Sequence, residues 1–213
     1  MSVERLFSVA GKTALVTGGS RGIGVMIARG LVEARARVYV SSRKASDVET
    51  AAAELSKLGT CIALPRDLSL PAGTRALAEA IAAREPALHI LVNNAGANWG
   101  APLAEYPDAG WDKVMALNVK AVFDLTRLLV PQLLAASKPG DPARVINVGS
   151  IDGIQVPLLE TYAYSASKAA VHHLTRTLAR KLAPQITVNA IAPGPFESKM
   201  MAVTLENFGD AIR

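Results

Sequence analysis

Cysteine, aromatic side chains and long apolar runs are all scarce in this chain. Its 213 residues include one cysteine, two Trp, four Tyr and four Phe. A lone cysteine excludes an intramolecular disulfide, and the position of Cys61 in a β-like apolar stretch reads as a buried, inert thiol rather than a nucleophile. The longest apolar stretches, residues 87–92 and 128–136, are too short or too interrupted by Pro131 and Gln132 to span a bilayer. Residues 1–11 carry Glu4 and Arg5 and lack the apolar core of a signal peptide, which sets a cytoplasmic location as the expectation. The net charge is +5, yet the only adjacent basic pairs are Arg43-Lys44 and Arg180-Lys181. Nucleic-acid binding needs clustered cations, so a solvated basic surface fits better, and so does a small anionic ligand. Repeats, low-complexity tracts and linker-like shifts are absent. With 50% hydrophobic residues, the chain supports one domain with a sizeable core.

What the chain does contain is alternation. Residues 13–17 form a short apolar run that ends in glycines; an amphipathic stretch follows over 22–34, then a second β-like run at 37–41. Ser46 with Glu49 predicts a capping box for a helix to about Leu58. A third strand is expected at 61–64, and Ser69 followed by Pro71 opens another helix. Strand four is read at 90–93, a long helix at 110–136 with Pro131 as a kink, and strand five at 144–148. A helix over 162–182 and a strand over 187–192 complete the series. Strands that are nearly continuous apolar runs, alternating with helices, describe an α/β, doubly wound, mostly parallel sheet with helices on both faces. In such sheets ligands sit beyond the carboxyl ends of the strands.

Those ends carry polar and glycine residues. After the first strand, Gly18, Gly22 and Gly24 are spaced G-x-x-x-G-x-G, which lets backbone approach a pyrophosphate held at a helix N-terminus. After the second, the carboxylate that would accept from an NAD ribose is replaced by Ser41-Ser42-Arg43-Lys44. A guanidinium forks onto a 2′-phosphate and a hydroxyl donates to it, so Ser42 and Arg43, with Arg21 from the glycine loop, point to NADP(H). Asp67-Leu68 follows the third strand, Asn94-Ala95-Gly96 the fourth and Ser150 the fifth. Tyr164 and Lys168 are spaced i, i+4 on one helix face. There the lysine charge is expected to lower the phenol pKa toward working pH. Tyr162 points off that face and reads as packing or pocket wall.

Together these motifs resemble the short-chain dehydrogenase/reductase family, over residues 11–200. The likeness is carried by residues 17–24, Asp67, Asn94-Ala95-Gly96, Asn118, Ser150, residues 164–168 and Pro193-Gly194. Within the family, residues 17–24, 93–100 and 189–200 are most similar to NADPH-dependent 3-oxoacyl reductases, including the rhamnolipid-biosynthesis kind. The resemblance implies a Rossmann-like fold and a soluble homodimer or homotetramer, and it implies no metal. It further implies that Tyr164 protonates the substrate carbonyl oxygen, Ser150 donates to the same oxygen, and Lys168 holds the nicotinamide ribose and tunes Tyr164. Asn118 would anchor a proton-relaying water, although an Asn in a long helix can also bond locally and bend it. Gly18, Ser20, Arg21 and Ile23 would line the phosphates, Asp67 the adenine, and Asn94, Ala95 and Gly96 the ribose. Pro193, Gly194, Phe196 and Ser198 match the segment that fixes the carboxamide.

Two departures qualify the likeness. The spacing from Ser150 to Tyr164 is one residue longer than is common in the family, in a loop with Asp152, Gln155 and Pro157. Members of the family also continue through substrate-covering helices and a seventh strand, which are not found before Arg213, so the sequence reads as C-terminally incomplete. Trp99, Ile151, Val156, Leu158 and Leu159 are expected to form an apolar wall suited to an acyl chain. The alternatives are a sugar, polyol or other secondary-alcohol dehydrogenase, and a non-catalytic NADP-binding regulatory protein on the same fold.

Overall fold

The structure is a computed structural model that describes residues 7–195. Strand β1 (Thr13–Thr17) leads through α1 (Gly22–Glu33) to β2 (Arg37–Ser41), and α2 (Ala45–Leu55) leads to β3 (Cys61–Ala63). Helix α3 (Pro71–Ala82) precedes β4 (Ile90–Asn93). Helices α4 (Asp108–Met115) and α5 (Ala121–Ala136) precede β5 (Ala143–Val148), and α6 (Tyr162–Leu182) precedes β6 (Ile186–Ile191). The sheet order is β3-β2-β1-β4-β5-β6, and every pairing is parallel. Connections therefore run outward from β1 in one direction and from β4 in the other. All carboxyl ends share one edge, with a topological switch between β1 and β4.

Successive strand residues face opposite sides of the sheet and build two cores. Ala14, Val16, Ile90 and Val92 pack with Ala28 and Val32 of α1 and Val48, Ala52 and Leu55 of α2. Leu15, Leu91 and Val145 pack with Leu77 and Ile81 of α3 and Leu125, Leu129 and Leu133 of α5. Each fully buried leucine contributes roughly 1.5–3 kcal/mol. Cys61 is buried in the first core, and burial pushes its thiol up to about 11, in keeping with an inert side chain. Among the described residues, no helix is long and apolar enough to cross a membrane.

Two local expectations are corrected. Helix α2 begins at Ala45, behind an N-cap Lys44 that makes no side-chain cap bond, so Ser46 lies inside the helix and the capping box does not form. The long helix is broken by a π-turn at Ala116–Lys120, while Pro131 sits within α5 without ending it. An inserted residue widens that turn and carries Asn118 into the interior.

A buried polar ladder underlies the carboxyl edge. Asn93 Nδ2 donates to Asn147 Oδ1 (2.9 Å) and Thr126 Oγ1 (3.1 Å), and Asn147 Nδ2 donates to Thr175 Oγ1 (2.9 Å). Asn93 and Asn147 are register partners, so the ladder ties β4 and β5 to α5 and α6 just beneath the site.

Candidate active site

At the end of β1 the chain folds sharply back into α1. Gly18 (φ +65°) and Gly22 (φ +56°) adopt left-handed backbone that other residues rarely tolerate. A Cβ on Gly24 would overlap the Gly18 carbonyl and the Asn94 side chain. Asn94 Nδ2 donates to the carbonyls of Thr17 (3.0 Å) and Gly18 (3.2 Å), and the Thr17 hydroxyl accepts from the amides of Asn94 and Ala95 (3.0 Å each). The Asn94 side chain is thus spent on holding the glycine loop across the switch point, while its segment still lines the cleft. Thr17, the first residue of the glycine-loop motif, is the hub of this lattice. Helix α1 starts with no side-chain cap and no acidic residue in its first turn, and a Cβ on Gly22 would project into open space. Open amides beside a permissive glycine fit an anionic pyrophosphate.

A cleft of about 1770 Å³ runs from this loop in both directions along the carboxyl edge. Gly18, Ser20, Arg21, Gly22, Ile23 and Gly24 line it, as do Ser42, Arg43, Asp67 and Leu68. Ala95, Gly96, Ser150, Tyr164, Lys168, Pro193 and Gly194 also stand on its wall. Phe196 and Ser198 lie outside the described residues.

One end is cationic. Arg66, overlooked in the sequence, donates its amide to the Ser42 carbonyl (3.0 Å), which sets it beside Ser42, with Arg43 and Lys44 on the same wall. Among the described residues Arg21, Arg43, Lys44 and Arg66 form no ion pair, and the buried Ser41 hydroxyl has no partner. Uncompensated guanidinium groups around serine hydroxyls suit a phosphate monoester. Asp67 Oδ1 accepts from the amide (3.0 Å) and hydroxyl (2.7 Å) of Ser69, closing the turn that enters α3.

The other end carries the reactive groups. Lys168 is buried, and its Nζ donates to the Val148 carbonyl (2.7 Å) while standing 5.4 Å from the Tyr164 ring centroid. Burial pushes its ammonium down to about 8. Burial also holds the Tyr164 phenol above its ordinary value; hydrogen bonding with Ser150 opposes this, and the charge of Asp152 adds to it. The expected acidification of Tyr164 is therefore not found here: desolvation dominates, and the lysine points at a main-chain carbonyl. Asp152 is itself raised by burial and stands on the cleft wall near Tyr164.

Asn118 is not on the wall. It is buried behind it, with Oδ1 accepting from the Ala97 amide (2.8 Å) and Nδ2 donating to the Ala97 carbonyl (3.0 Å) and to Ser167 Oγ (2.9 Å). Its side chain clamps residues 94–97 against α6. Tyr162 is exposed, donates to Glu160 (2.9 Å) and packs edge-on against Tyr106. Trp99, Ile151, Val156, Leu158 and Leu159 all line the cleft, but Val156 is 93% and Leu158 80% exposed, so these two form a rim rather than an enclosed wall.

The short chain dehydrogenase family model matches residues 12–207. The chain belongs to that family. It is 53% identical over 195 residues to the rhamnolipids biosynthesis 3-oxoacyl-[acyl-carrier-protein] reductase of Pseudomonas aeruginosa, across 91% of this chain and 76% of that protein. It is 36% identical to the galactitol 2-dehydrogenase of Rhizobium johnstonii, across 97% of this chain and 80% of that one. A solved Pseudomonas aeruginosa RhlG/NADP active-site complex superposes with a TM-score of 0.91 at 51% identity, covering 97% of this chain and 80% of its own. A gluconate 5-dehydrogenase from Burkholderia cenocepacia, in complex with NADP and tartrate, superposes with a TM-score of 0.85 at 31% identity, covering 94% of this chain and 77% of its own.

Proposed function

We propose that this family member is an NADPH-dependent reductase that converts a ketone to a secondary alcohol, with a 3-oxoacyl thioester or similar apolar ketone as substrate. The observation that carries the reading is the convergence of Tyr164, Ser150 and Lys168 at one end of a cleft whose other end is glycine-lined and cationic. When bound, the nicotinamide supplies a hydride to the carbonyl carbon. Tyr164 donates a proton to the carbonyl oxygen, and its raised pKa keeps it in the donor state near neutral pH. Ser150 donates to the same oxygen. Lys168 carries positive charge below about pH 8 and supports both the phenol and the ribose side of the cleft. Arg43, with Ser42 and Arg21, holds the 2′-phosphate.

The acyl substrate is supported by the 53% identity to a 3-oxoacyl reductase and by the apolar rim at Val156 and Leu158. A hydroxylated ketone is the second reading, supported by Asp152 and Gln155 on the wall and by the likeness to a galactitol dehydrogenase. The proposal includes a single catalytic domain acting as a cytoplasmic homo-oligomer, which sedimentation and cell fractionation test.

The test is NADPH oxidation across a panel of 3-oxoacyl esters and keto sugars, repeated with Tyr164→Phe. The 3-oxoacyl esters should turn over faster. The variant should lose on the order of 10²–10⁴-fold in kcat while binding NADPH normally. Faster keto-sugar turnover would select the second reading, and no turnover with any ketone would favour a silent NADP-binding protein.

A further inference from the structure

Helix α6 reaches the segment after β5 with more than the pair at Tyr164 and Lys168. One turn beyond Lys168, on the same face, His172 Nε2 lies 3.0 Å from the Ser150 carbonyl. A carbonyl only accepts, so Nε2 carries the hydrogen and the ring is the donor. Two side chains four residues apart thus hold the carbonyls of Val148 and Ser150, at the end of β5 and just beyond it. The imidazole is wedged between two glycines. A Cβ on Gly149 would stand 2.7 Å from Nε2, and one on Gly153 would stand 2.9 Å from Cδ2.

The rest of the Ser150 environment is equally constrained. The flanking amides of Gly149 and Ile151 donate to Ile191 (2.7 Å) and Pro193 (3.1 Å), and Ser150 Oγ accepts from the Asp152 amide (3.2 Å). The Ser150 carbonyl also accepts from the Gly153 amide (3.1 Å), so the side chains that reach Ser150 are those of Tyr164, at its hydroxyl, and His172, at its carbonyl. The carbonyl of Ser150 is thus tied by a side chain to the helix that also bears Tyr164. The other two histidines serve elsewhere: His89 accepts from the Thr13 amide, and His173 is exposed beside Arg176.

We propose that His172 is a positioning residue for the reaction: by fixing the Ser150 carbonyl it aims the Ser150 hydroxyl at the oxygen that Tyr164 protonates. The inference rests on the role given to Ser150 above. Small displacements of an orienting group slow chemistry without weakening binding, so the effect falls on kcat.

The test is a double-mutant cycle in the full chain with NADPH and the ketone that the panel shows to react fastest. The variants are Ser150→Ala, His172→Phe, His172→Gln and the Ser150→Ala/His172→Phe pair. His172→Phe keeps the ring between the glycines without a donor and should lower kcat on the order of 10–100-fold, with NADPH affinity and melting temperature little changed. His172→Gln retains a donor and should recover most of that loss. In the Ser150→Ala background, adding His172→Phe should change kcat by less than about twofold, because the residue acts through the serine. Losses that multiply in the double variant, or a His172→Phe enzyme as fast as wild type, would overturn the proposal. If Ser150→Ala keeps full turnover, the role of Ser150 itself fails and the inference falls with it. Should His172→Phe not fold, His172→Leu takes its place in the cycle; should neither fold, the residue is a packing element and the proposal is wrong.

Discussion

Tyr164 sits among groups that push its proton affinity in opposite directions. Burial is the largest influence and raises it, the hydrogen bond with Ser150 lowers it, and the Asp152 carboxylate raises it again. A raised phenol suits proton donation in ketone reduction and hinders the reverse reaction, which needs tyrosinate. Asp152→Asn removes one raising influence, so the Tyr164 pKa should fall. The alkaline rise of kcat for alcohol oxidation should then move to lower pH, as measured in parallel pH–rate profiles with NADP⁺. A rise that stays put or moves upward would show that Asp152 does not act on the phenol. At this scale the sequence was legible where spacing is local: Tyr164 and Lys168 are one helical turn apart. Asp152 and Arg66 went unread as site residues because their meaning comes from what lies across the cleft, and nothing in their immediate neighbours signals it.

Of the three glycines in helix α1, Gly24 and Gly30 have opposite requirements. A Cβ at Gly24 would run into the Gly18 carbonyl and Asn94, whereas a Cβ at Gly30 would meet nothing within 4 Å. Gly24→Ala should therefore destabilise the protein by about 1–3 kcal/mol and weaken dinucleotide binding. Gly30→Ala should stabilise it by about 0.4–1 kcal/mol and leave binding alone. Urea denaturation with nucleotide-fluorescence titration checks both signs. Element types and their order were legible from periodicity and turn residues. The π-turn at Ala116–Lys120 was not, because an inserted residue leaves the apolar pattern of α4 and α5 nearly unchanged while it redirects Asn118. The start of α2 differs for a related reason: Ser46 and Glu49 have the right spacing for a cap, but the N-cap is Lys44, two residues earlier.

Across the whole molecule, the cleft is walled by residues following strands in both halves of the sheet, so a ligand filling it bridges the switch point. Such a ligand binds only the folded chain and stabilises it by mass action. NADPH at a hundred times its Kd should add about 2.7 kcal/mol. For a chain of this size that corresponds to a rise in Tm of about 5–11 °C. If NADH binds tenfold more weakly, the same concentration adds about 1.4 kcal/mol and roughly half the rise. Arg43→Ala should reduce the NADPH shift to the NADH level in thermal scans. Equal shifts for the two nucleotides with the unmutated chain would remove the assigned role of Arg43 at the 2′-phosphate.

The alternation of apolar runs with amphipathic stretches, and the residues just beyond each run, sufficed to determine a doubly wound sheet with a dinucleotide cleft at its carboxyl edge. Those features are local, since burial on both faces and tight turns dictate residue type position by position. The tertiary structure alone decided how the site is held together. Thr17 grips Asn94 from 77 residues away, Asn118 clamps Ala97 from 21 away, and His172 reaches Ser150 across 22. Burial likewise set the direction of the shift at Tyr164, where the helical spacing pointed to Lys168, because burial depends on everything packed around a group and leaves no mark in its neighbours along the chain.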